Sequence, residues 1–88
     1  MDVIISEKQQ ERIKSSIKEI VEDIKVPLAI KVDVVFSSTG NIYVLVILKN
    51  YLMSSAKTKY QSLIRNKIKN YIGLDVTPIL SEESTIDS

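Results

Sequence analysis

Seven consecutive apolar residues, IYVLVIL at 42–48, constrain this chain more than any other feature. The run is too short to cross a bilayer and is rich in β-branched residues. It reads as a strand with apolar side chains on both faces. A strand of that kind needs cover above and below. An 88-residue chain has one domain's worth of core to supply it. A chain this short buries only roughly 60–65% of its unfolded surface, so covering both faces is demanding.

The neighbouring segments follow two different periods. Ser6 and Gln9 have the spacing of a capping box, and Ile13, Ile17, Ile20, Val21 and Ile24 follow at intervals of three and four. This predicts an amphipathic helix over 7–24, which Pro27 prevents from continuing. From 28 to 36 the pattern changes to period two. Ile30, Val32, Val34 and Phe36 alternate with Lys31, Asp33 and Val35, as in a half-buried strand. SSTGN at 37–41 supplies a turn, which makes the two strands an antiparallel hairpin.

Ser54 or Ser55 is the expected cap of a second helix, with Ala56, Tyr60, Leu63, Ile64, Ile68, Tyr71 and Ile72 as its apolar stripe. Gly73 stands where a left-handed C-terminal cap belongs. LDVTPIL at 74–80 reads as a third strand, and Pro78 points to an edge position. The expected domain is 1–80, and the acidic segment 81–88 is expected to be a loose tail. The fold class is α+β, a two-layer sandwich of order α-β-β-α-β. It has a three-stranded mixed sheet and both helices on one face. The third strand either pairs with the second through a crossover or returns beside the first.

The composition excludes much chemistry. With no Cys there is no disulfide, thiolate nucleophile or Cys-ligated metal, and with no His the commonest general base and metal ligand are absent. Absence of Cys also favours a cytoplasmic setting. No phosphate-binding loop, dinucleotide fingerprint or nucleophile elbow is present. Adjacent Glu22 and Asp23 diverge by about 100° on a helix, and Glu82–Glu83 is expected to be solvated. Asp33 is expected to lie opposite Lys31 or a cross-strand Lys. The chain is therefore read as non-enzymatic, with no cofactor and no metal.

Two candidate surfaces remain. If the helices take Ile42, Val44, Val46 and Leu48, then Tyr43, Leu45 and Ile47 point away from them, with Val35 beside them. A bare apolar sheet face of this kind is an interface, most simply with a second copy as a homodimer. The alternative cover is the N-terminal MDVII or the tail. The second surface is basic. Residues 31–73 carry seven Lys or Arg against one acid. Lys57, Lys59, Arg65, Lys67 and Lys69, interleaved with Tyr60 and Tyr71, form the candidate for an anion or nucleic-acid contact, as in an RNA- or ribosome-binding module. Lys67 falls within the apolar arc, where a Lys lays its stem along the surface and carries its charge to the rim.

The element order resembles that of three families. IKEIVEDI, IKVDVVF, TGNIYVLVIL, SSAKTKYQSLIRNKIKNYI and DVTPILSEE follow one another as in the C-terminal cytoplasmic domains of cation-diffusion-facilitator transporters. That resemblance implies dimerisation and, in many members, metal binding through His and acidic residues; this chain has no His. The run from the apolar strand to NYIGLDV is similar to the alkaline-shock protein family, which implies a scaffold rather than an enzyme. The first helix with LIRNKIKNYIGLDVTPIL resembles ribosome-binding factors of the K-homology type, which implies RNA contact. The GxxG loop of standard K-homology domains is not present here.

Overall fold

The computed structural model describes residues 6–83. Five elements follow one another: α1 (Glu7–Ile24), β1 (Ala29–Phe36), β2 (Ile42–Leu48), α2 (Ser54–Ile72) and β3 (Thr77–Glu82). The α-β-β-α-β order and the mixed three-stranded sheet are those read from the sequence.

Helix α1 begins with the full capping box. The Ser6 hydroxyl accepts from the Gln9 N–H, and the Gln9 side chain accepts from the Ser6 N–H. It ends at Lys25, which adopts a left-handed conformation two residues before Pro27. Helix α2 departs from expectation at its start. Met53 is its N-cap and contributes no side-chain hydrogen bond, while Ser54 and Ser55 already lie in the first turn. The Met53 carbonyl accepts from the Lys57 N–H, so backbone bonding alone opens this helix. Gly73 closes it as expected, at φ 81°, a conformation that costs glycine no Cβ clash.

The sheet order is β1-β2-β3, with β1 antiparallel and β3 parallel to β2. The third strand thus pairs with the second and not with the first. It runs three residues later at its start and two later at its end than the sequence suggests. Ser81 and Glu82 belong to the strand rather than to a tail. Pro78 does lie on an edge strand, as its missing N–H requires.

Burial along β2 alternates strictly. Ile42, Val44, Val46 and Leu48 are buried, and Tyr43, Leu45 and Ile47 are half-buried. The buried set faces both helices. It meets Ile17, Ile20 and Val21 of α1, Ile64 and Ile68 of α2, Val34 of β1 and Leu80 of β3 in one core. Both helices therefore cover one face of the sheet, as expected. One residue leaves the pattern: the ladder slips between Ala29 and Lys31, and Ile30 at that bulge is left exposed.

Candidate interaction face

The register of the two ladders determines what lies on the face away from the helices. Residues paired across neighbouring strands share a face. Three rows result: Lys31–Ile47–Ser81, Asp33–Leu45–Ile79 and Val35–Tyr43–Thr77. Tyr43, Leu45 and Ile47 form the central column, half-buried because each is flanked on both sides. Val35 at 42% and Ile79 at 38% exposure stand on the outer strands beside them. The pairing brings the four expected residues together and adds Ile79. Ile79 lies in the expected third strand, and its place on this face follows from the pairing of that strand with β2. The N-terminal pentapeptide and residues 84–88, the alternative covers for this face, lie outside the described residues.

The remaining residues of the face are polar. Lys31 and Asp33 occupy two positions on β1, and Thr77 and Ser81 two on β3. Asp33 stands opposite Leu45, not opposite a Lys as expected, and its Oδ1 accepts from the Val34 N–H at 2.9 Å. The Ser37 N–H donates to the Asn41 carbonyl at the hairpin end. Antiparallel pairing alternates, so odd-numbered residues of β1 turn their N–H groups toward β2 and even-numbered ones outward. Asp33 thus occupies an outward N–H on the free edge of the sheet. A bulge further along β1 and Pro78 on the opposite edge also disfavour strand addition.

The basic residues of α2 are distributed differently from a binding stripe. Lys57 Nζ lies 2.5 Å from Glu82, Lys67 Nζ 3.4 Å from Asp23, and Lys69 Nζ 3.2 Å from Asp75. Lys67 is partly buried and its ammonium pairs with Asp23, a mostly exposed carboxylate, in keeping with a charge carried to the rim. Lys59 lies over the Tyr60 ring, and Arg65 is exposed. Tyr60 packs against the core, but Tyr71 does not: it is 71% exposed, with Lys67 Nζ 5.9 Å from its ring centre. Leu63 is likewise exposed. Glu82, expected to be solvated, is largely shielded.

Among the described residues, no group of three or more acidic side chains is placed to hold a metal ion. No helix among them is long and apolar enough to cross a membrane.

No family model matches this sequence, and no curated protein matches it significantly. Among solved structures, the type III secretion system protein EscJ of enteropathogenic E. coli is similar in fold. The TM-score is 0.52 with 17% identity, over 89% of this chain and 54% of that one. The chain thus spans about half the length of that neighbour, and the likeness is one of fold.

Proposed function

We propose that this domain is a non-enzymatic protein–protein interaction module that self-associates through its open sheet face. The observation that carries the reading is the apolar cluster of Val35, Tyr43, Leu45, Ile47 and Ile79, on the face opposite both helices. Burying such a cluster is favourable by about 25 cal/mol per Å² of apolar area. The strand edges are poor alternatives because Asp33, the bulge and Pro78 obstruct pairing there. The dimerisation implied by the resemblance to cation-diffusion-facilitator domains points the same way. EscJ belongs to a secretion assembly, which is compatible with a role in protein association.

The size of the face sets the strength. Three strands spaced about 4.8 Å apart, with three same-face residues each, cover roughly 300 Å² in projection. A stable interface buries about 800 Å² per partner, so the association is weak and concentration-dependent. The test is molar mass by light scattering over a concentration series at low and high salt. The expected result is a rising mass that is insensitive to salt. Leu45→Lys, at the centre of the face, is expected to hold the protein at monomer mass. If the wild type stays monomeric throughout, or if Leu45→Lys associates like the wild type, the reading fails.

The RNA- or ribosome-binding alternative rests on Lys57, Lys59, Arg65, Lys67 and Lys69. Three of these already meet carboxylates of this chain, which reduces the charge they present. Salt-dependent RNA binding that is lost in Lys59→Glu/Arg65→Glu would favour that alternative.

A further inference from the structure

We infer that two copies pack face to face around a two-fold axis along the diagonal Val35–Leu45–Ser81, which crosses their strands at about 70° for a strand spacing of about 4.8 Å and a same-face repeat of about 6.7 Å. This rests on the self-association proposed above and specifies its geometry. Two identical surfaces in isologous contact are related by an axis lying in the plane between them. For a three-by-three face there are four symmetric settings: along β2, across the strands, and along either diagonal. Each dictates which side chain meets which.

With the axis along β2, Asp33 of each copy lies against Ile79 of the other and loses water without gaining a partner. With the axis across the strands, Asp33 lies against Asp33 and Lys31 against Val35. Along the Lys31–Thr77 diagonal, Lys31 faces Lys31 and Asp33 faces Ile47. Like charges or stranded charges appear in all three. The Val35–Ser81 diagonal avoids both. It sets Val35 on Val35, Leu45 on Leu45 and Ile47 on Ile79. Lys31 meets Thr77, and Asp33 meets Tyr43 of the other copy. Asp33 uses Oδ1 within its own strand, so its second carboxylate oxygen is the acceptor for that Tyr43 hydroxyl. The polar and apolar positions are self-complementary in this setting alone.

The test uses a one-to-one mixture of methyl-labelled and unlabelled full chain, read by isotope-filtered NMR for contacts between copies. Ile, Leu and Val methyls dominate the face, so the probes are already in place. The expected result is contact between Ile47 of one copy and Ile79 of the other, with Tyr43→Phe, which removes two hydrogen bonds to a charged group per symmetric dimer, weakening association by about tenfold or more. Ile47–Ile47 contacts would place the axis along β2, and Ile79–Ile79 contacts would place it across the strands. Either overturns the crossed geometry while leaving self-association intact. A dimer mass with no contact between copies from this face would overturn both readings.

Discussion

The Lys57 ammonium lies 2.5 Å from a carboxylate oxygen of Glu82, tying the first turn of α2 to the last residue of β3. Both side chains are largely shielded, at 24% and 15% exposure. Glu82 pairs in register with Leu48, so it stands on the helix side of the sheet, at the end of the buried row. An ion pair placed there is screened less by salt than a surface pair.

Removing this pair should cost more than removing an ordinary surface pair. We expect Glu82→Gln to destabilise the domain by about 1–2 kcal/mol, between the values for exposed and buried pairs. Urea unfolding should show a lower midpoint, and the loss should persist at high salt. A chain ended at Leu80 should lose at least as much, because the final rung of β3 goes with it. An unchanged midpoint in Glu82→Gln would show that the pair contributes nothing to stability.

Two apolar-stripe residues three positions apart on α2 should behave oppositely. Ile68 is fully buried in the core, and Tyr71 is mostly in solvent. Ile68→Ala should cost about 2–5 kcal/mol through lost burial and a cavity. Tyr71→Ala should stay within about 0.5 kcal/mol. Thermal unfolding separates them, since about 1 kcal/mol moves the midpoint of a domain this size by roughly 4–8 °C. A large loss in Tyr71→Ala would mean that the ring packs against something outside the described residues.

Gly73 isolates backbone strain from packing. It lies at φ 81°, and a Cβ built there meets nothing within 4 Å. Gly73→Ala should therefore cost about 1–2 kcal/mol through left-handed strain alone. Gly73→Asn should recover part of it, because Asn tolerates that conformation. Equal stability of all three, in the same urea titration, would show that the helix ends differently in solution.

Much of this architecture was legible residue by residue. The Ser6–Gln9 box, the isoleucine spacing of α1, the alternation in 30–36 and the left-handed Gly73 are local signals, each set by backbone geometry within a few residues. The candidate face was legible in part. Tyr43, Leu45 and Ile47 follow from period two within a single strand. Ile79 does not, because its place on the face depends on pairing with Leu45, thirty-four residues earlier in the chain. Asp33 is a related case: a free-edge N–H on its own strand holds the carboxylate, a partner that matching of charged side chains does not point to. Ser54 and Ser55 have the chemistry of caps, but the chain enters α2 at Met53, one residue earlier, and backbone bonding opens the helix.

By itself, then, the sequence determined the number, type and order of the elements. Hydrophobic period and turn chemistry act over short stretches of chain and need no tertiary context. The tertiary structure alone decided that β3 lies beside β2. It also decided that Tyr71 faces water while Ile68 does not, and that three lysines of α2 are matched by carboxylates. These depend on which distant segments meet, and that is settled by packing of the whole core, not by any local pattern.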